Sequence, residues 1–105
     1  MVEISHGKSR IRVVVKTHQP AFGFVRKDEW NGVWVLHVRA LPLKSKANRE
    51  IEYECTRLFG VPVKIASGLS SNHKVLEIPL PPFQVERILT QSQQTQLNQN
   101  KPKEL

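Results

Sequence analysis

Residues 9–17, SRIRVVVKT, alternate charged and apolar side chains and are rich in β-branched residues, the pattern of a half-buried strand. Ile11, Val13 and Val15 form the apolar face, with Arg10, Arg12, Val14 and Lys16 opposite. Residues 33–40, VWVLHVRA, predict a second strand with Trp34, Leu36, Val38 and Ala40 on the apolar side and Val35, His37 and Arg39 on the other. Asn31-Gly32 marks a turn between them, because both residues tolerate positive φ. The two strands are therefore expected as antiparallel neighbours, joined by a loop whose aromatics, Phe22, Phe24 and Trp30, either offer stacking surfaces or, the favoured reading, fold back over the core.

A helix is expected over 45–59, where Ala47, Ile51, Cys55, Leu58 and Phe59 recur at three- and four-residue spacing. Gly60 supplies a left-handed stop and Pro62 prevents continuation. VPVKIASG (61–68) and HKVLEIPL (73–80) read as two further strands, the second with Leu76, Ile78 and Leu80 on its apolar face. SGLSSN is the turn between them. Pro81 and Pro82 open a short second helix, with Val85, Ile88 and Leu89 as its apolar stripe. The Gln/Asn-rich segment 91–105 is low in apolar residues and is expected to be disordered, with at most its first turn helical.

These elements give an α+β domain over 1–90 in the order β-β-α-β-β-α: a mixed four-stranded sheet with two helices on one face. The opposite face stays open, lined by Arg10, Arg12, Lys16, His37, Arg39 and Lys64, with Glu77 as its acid. The strand–helix–strand unit 33–67 is expected to be a parallel crossover. It sends the loop at 41–46 and the turn at 68–73 to one edge of the sheet, beside a helix N-terminus, where ligands of open α/β sheets bind.

At 39% hydrophobic and 24% charged, the chain has the composition of a globular domain rather than a disordered or membrane-spanning one. A single cysteine, Cys55, cannot pair within the chain, and no apolar run reaches membrane length or resembles a secretory signal. A cytoplasmic protein is the expectation. The formal charge of +7 favours an acidic partner.

Where the charge sits is more telling than its total. Lys44 and Lys46 flank the start of the first helix, although the amides there favour anions. In the antiparallel arrangement, Arg10, Arg12, Arg39, Lys44, Lys46 and Lys74 converge on one rim, together with Asn48, Ser71 and Asn72 as short hydrogen-bonding side chains. Such a set suits a phosphate or carboxylate. The same residues have structural roles open to them: Asn48 bonding its neighbouring loop, Ser71 bracing the turn, and the lysines solvated.

At these residues the chain resembles the YggU-like family of small proteins, whose function is unknown. The family pattern pairs P-x-x-G-K-A-N at a helix start with a later G-x-x-S-R-x-K. Here the first is matched by Pro42, Lys46, Ala47 and Asn48, with Ser45 in place of glycine. The second is matched by Gly68, Ser71 and Lys74, with Asn72 in place of arginine. The resemblance covers roughly residues 10–90 and implies a mixed four-stranded sheet with two helices on one face. It brings no established reaction. Ser45 becomes a candidate helix cap.

The leading expectation is a small basic module binding RNA or another phosphate-bearing ligand through the rim. Two alternatives remain: an enzyme acting on a phosphorylated small molecule, with His73 as acid or base, and an adaptor docking an acidic protein. His6, His18, His37 and His73 show no ligand spacing, so no metal, cofactor or catalytic residue is assigned.

Overall fold

The computed structural model describes residues 7–100; the segments 1–6 and 101–105 and the side chains of Lys44 and 93–100 lie outside it. Strands β1 (Ser9–Lys16), β2 (Gly23–Lys27) and β3 (Trp34–His37) precede helix α1 (Lys44–Phe59). Strands β4 (Lys64–Ser67) and β5 (His73–Ile78) and helix α2 (Pro82–Asn100) follow. The sheet has five strands in the order β2-β3-β1-β5-β4, one more than the sequence pattern suggests.

The additional strand is β2, and it changes the topology. Asn31-Gly32 does close a hairpin, but it joins β2 to β3, not the 9–17 strand to the 33–40 strand. Gly32 adopts φ 69, and its N–H donates to the Asp28 carbonyl at 2.8 Å. The side chains of Asp28 and Asn31 accept from the amides of Trp30 and Val33. β3 is thereby inserted between β1 and β2 and runs parallel to β1, with Val13 opposite Trp34 and Lys16 opposite His37. The strand is short and bulged between Phe24 and Arg26, which breaks the alternation that would have revealed it.

Pairing of β1 with β3 continues past their ends, through Val38 N–H to the Lys16 carbonyl and His18 N–H to the Ala40 carbonyl, both 2.9 Å. β5 is antiparallel to both β1 and β4, so β1, β3 and β4 all point one way. The β3–α1–β4 crossover is therefore parallel, as its spacing predicts, but it passes over β1 and β5.

Both helices contribute to one core on one side of the sheet. Ala47, Ile51, Cys55 and Phe59 of α1 and Val85 and Leu89 of α2 pack with Val13, Val15, Leu36, Leu76 and Ile78. Ile51, Leu76 and Leu89 are fully buried, and each contributes about 2–3 kcal/mol. Phe24 meets Phe22, Trp34 and Phe59 edge to face at 6.3, 6.0 and 6.4 Å. Trp30 does not join them; it stands 96% exposed at the hairpin tip.

α1 ends at Gly60, which takes φ 74 and donates its N–H to the Thr56 carbonyl. α2 starts at Pro82, as its prolines indicate, and continues to Asn100, so the expected domain boundary at 90 falls inside it. Glutamine is a good helix former and 91–100 contains neither Gly nor Pro, so composition poor in apolar residues did not stop the helix. The remainder of the expected tail, 101–105, lies outside the described residues. No described helix is long and apolar enough to cross a membrane.

Candidate functional site

Because β1, β3 and β4 run together, their carboxyl ends, the start of α1 and the 68–73 turn meet at one rim. There residues of both motifs, Pro42, Leu43, Ala47 and Asn48 from the first and Leu69, Ser70, Ser71, Asn72 and Lys74 from the second, line a cavity of about 90 Å³ with Val15 and Thr17 of the β1 end; Lys46 and Gly68 are not among its lining residues. Thr17 was not anticipated, because the antiparallel reading put that end of β1 elsewhere.

Gly68 shapes the turn. It adopts φ 85, and a Cβ there would lie 2.2 Å from the His73 carbonyl oxygen and 2.9 Å from the Lys74 Cα. Only glycine tolerates both demands. The Ser71 amide returns to the Gly68 carbonyl at 3.1 Å, and the Ser71 hydroxyl accepts the His73 amide at 2.9 Å. The Asn72 carbonyl accepts the Val15 amide at 2.8 Å, which ties the turn to β1. Asn72 and Ser71 are themselves exposed.

Lys74 does not project from the rim. It sits opposite Val13 on the helix-covered side of the sheet, 5% exposed, and runs under the turn. Its ammonium donates to the carbonyls of Gly68 (2.7 Å) and Leu69 (3.3 Å). Burial pushes its pKa down. Asn48 reaches the same turn from α1, its Nδ2 donating to the Leu69 carbonyl at 3.1 Å. Its Oδ1 is buried and has no hydrogen-bond partner.

Helix α1 begins without a cap. Leu43 holds the N-cap position in extended geometry with no side-chain hydrogen bond, and no acid lies in the first turn. Ser45 is the second helical residue, not the cap that its place in the motif suggests. The Lys46 and Ala47 amides both bond the Leu43 carbonyl, so the amides before them lack a helical acceptor. Lys46 is exposed on this turn, and Ala47 is buried against the sheet. The Lys44 side chain lies outside the described residues.

Arg39 is exposed just beyond β3, and its amide and that of Ala40 donate to the two Glu50 oxygens at 2.9 and 2.8 Å. Glu50, which no sequence pattern singled out, thus clasps the loop leading into α1. The leucines of that loop and of the turn face solvent: Leu41 is 50%, Leu43 53% and Leu69 57% exposed.

Arg10 and Arg12 do not belong to this rim. With β1 parallel to β3, they lie toward the other end of the sheet, and Arg10 is roughly 20 Å along the strand from Lys16. Arg10 donates to Glu77 at 3.1 Å, and Arg12 donates to the Asn31 carbonyl beside the hairpin tip. The expected convergence fails because the Asn31-Gly32 hairpin joins β2 to β3, which leaves β1 parallel to β3 and reverses the end at which Arg10 and Arg12 lie.

They do lie on the uncovered face. Register places Arg10, Arg12, Val14 and Lys16 there with Arg26, Val35, His37, Lys64, His73, Val75 and Glu77. Arg26 joins the expected set because β2 exists. Glu77 is the acid of this face, held below the usual carboxylate range by its hydrogen bond from Arg10 and by the Lys8 charge. Most other described acids belong to the helices: Glu50, Glu52, Glu54 and Glu86. His37 is half-buried, and its pKa is lowered by burial and then by the charges of Arg26 and Lys16. His73 lies on this face opposite Val14, not among the cavity's lining residues.

A larger concavity, about 270 Å³, opens beside β2 between the helices, with Phe22, Phe24 and Leu58 as apolar walls and Glu54 and Arg57 at 3.6 Å from one another. It contains none of the motif residues. Among the described residues no group of three or more His, Cys, Asp or Glu is placed to hold a metal. Burial pushes the Cys55 thiol up, which disfavours the reactive thiolate. No protein-family model matches the chain.

Proposed function

We propose that this protein is a small RNA-binding module that holds its ligand through phosphates laid across the uncovered sheet face. The observation that carries this is the charge of that face. Arg10, Arg12, Lys16, Arg26 and Lys64 line it against one carboxylate, Glu77, which is already paired. Lys46 and Arg39 extend the positive field to the rim. The lowered pKa of His37 supports the reading in part: burial is its largest cause, and Arg26 and Lys16 then lower it further as a local excess of positive charge.

No Phe, Tyr or Trp stands among the face residues given by the strand register, so beyond the two imidazoles of His37 and His73 bases gain no stacking platform there, and recognition is mainly electrostatic and weakly selective. We also propose that the chain is a YggU-like protein, a reading supported by residues of its two motifs, far apart in sequence, lining one cavity. A cytoplasmic location suits an unpaired, fully buried Cys55.

Lys16 and Arg26 test the proposal cleanly, because neither side chain makes a hydrogen bond or ion pair among the described residues. Binding of a fluorescent single-stranded RNA is measured across a salt titration for the wild type and for Lys16→Gln with Arg26→Gln. Each lost phosphate contact should flatten the log–log slope by about 0.7 and weaken binding at low salt. Identical slopes and affinities for both proteins would refute it.

A further inference from the structure

We infer that Trp30 stacks on an unpaired base of the bound RNA, which makes the ligand single-stranded where it passes the hairpin tip. This deepens the RNA-binding reading and rests on it.

Trp30 stands at the tip of the β2–β3 hairpin, 96% exposed, whereas the chain's other tryptophan, Trp34, is 3% exposed in the core. Indole is mostly buried in folded proteins, so a ring left wholly in water has both faces open to a partner. Its backbone, by contrast, is fixed. The Trp30 N–H donates to Asp28 Oδ1 at 2.9 Å, the Gly32 N–H to the Asp28 carbonyl at 2.8 Å, and the Val33 N–H to Asn31 Oδ1 at 3.1 Å. A rigid aromatic carried on an ordered turn has only two side-chain torsions to lose on binding.

The tip adjoins the basic face. Val13 lies opposite Trp34, so the hairpin runs on beside the Arg12 end of β1. The Arg12 side chain, on the uncovered face, donates to the Asn31 carbonyl, next to Trp30 in the chain. Arg26 lies on the same face, where β2 leads into the tip. A strand held by its phosphates on Arg12, Arg26 and Lys16 therefore has an aromatic plane beside it.

The local charge favours a base over other partners. Asp28 and Glu29 precede Trp30 and are exposed. They repel a phosphate or an anionic bilayer brought against the indole, but not an uncharged base that hangs away from its own phosphate. The exposed leucines that could enter a bilayer with the ring, Leu41, Leu43 and Leu69, follow β3 and β4 at the other end of the sheet. Stacking needs a base whose face is free, and in a duplex each base is covered by its neighbours. Because every base has such a face, the contact adds affinity with little sequence preference.

The test uses a fluorescent mixed-sequence RNA, as a single strand and paired with its complement. Each is titrated across a salt series with the full chain as wild type, Trp30→Ala, and Lys16→Gln with Arg26→Gln. Trp30→Ala should weaken single-strand binding about tenfold while its log–log salt slope stays as in the wild type, since stacking releases no counterion. Duplex binding should be unaffected by this change. Lys16→Gln with Arg26→Gln should flatten the slope instead. The single strand should quench indole emission in the wild type, and the quenching should vanish in Trp30→Ala, which retains Trp34. Trp30→Phe should recover part of the affinity. If RNA binds but Trp30→Ala binds the single strand as tightly as the wild type, this inference is overturned and the basic face stands. An equal loss on duplex and single strand overturns it too, because the contact is then not to an unpaired base. No RNA binding by the wild type overturns both readings. An emission shift with phosphatidylcholine–phosphatidylserine vesicles, and none with RNA, assigns Trp30 to a lipid surface and overturns the inference as well.

Discussion

The ammonium of Lys74 donates to the carbonyl of Gly68 at 2.7 Å, across the turn that the same two residues begin and end. A lysine that sequence patterning places on a basic rim is instead a buried brace. Replacing it tests structure before binding. Lys74→Met keeps the volume but removes the donor, while Gly68 retains the Ser71 amide and Leu69 retains Asn48. We expect a loss of about 1–2 kcal/mol in denaturant melts and faster amide exchange at Ser71 and His73. Unchanged stability and exchange would show that the ammonium contributes nothing to the turn.

Gly68 and Gly32 have similar positive φ, 85 and 69, but different surroundings. A Cβ at Gly68 would meet the His73 carbonyl, whereas at Gly32 it would meet open space. Gly32→Ala should cost about 1 kcal/mol from backbone strain alone. Gly68→Ala should cost on the order of 3 kcal/mol, since a backbone clash adds to the same strain. Thermal melts of the two variants should therefore differ clearly, and equal melting temperatures would contradict the steric account.

What could be read from the sequence divides along a physical line. Local signals held: the β-branched alternation of 9–17, the apolar stripe Ala47-Ile51-Cys55-Phe59, and Gly60 as the helix stop. These depend on neighbours within a turn or a strand. Pairing between strands depends on which partner wins, and a bulged five-residue strand with little alternation gave no warning that β3 would be inserted between β1 and β2. That single omission moved Arg10 and Arg12 away from the rim. The motif residues Asn48, Ser71, Asn72 and Lys74 survived it, because they sit at the ends of α1, the turn and β5, whose relative placement rests on the crossover. Whether Lys74 pointed into the core or to solvent was hidden, since alternation gives it the buried side and its charge argues for the other.

Glu50 accepts the amides of Arg39 and Ala40 and holds the loop that delivers Leu43 to the N-cap of α1. Glu50→Ala leaves both amides without that acceptor and should cost about 1–3 kcal/mol in denaturant melts. Glu50→Gln keeps one acceptor oxygen and should recover part of the loss. If the alanine variant melts like the wild type, the clasp is incidental to the loop.

His37 should report the field of the uncovered face directly. Burial, Arg26 and Lys16 all favour its neutral form, so its folded pKa lies below the value of about 6.5 that it has in an unfolded chain. Above that unfolded value both states are neutral and His37 leaves stability unchanged. As the pH falls from about 6.5 toward the folded pKa, the unfolded chain binds the proton first, so stability declines, and the decline levels off below the folded pKa. Arg26→Gln should raise the folded pKa in an NMR titration of the imidazole and lessen this acid loss. Single-stranded RNA bound across the face should raise it further, because the phosphates offset the Arg26 and Lys16 charges. A free-protein pKa at or above 6.5 would contradict the electrostatic reading of the face, and a pKa unmoved by saturating RNA would place the ligand somewhere other than beside His37.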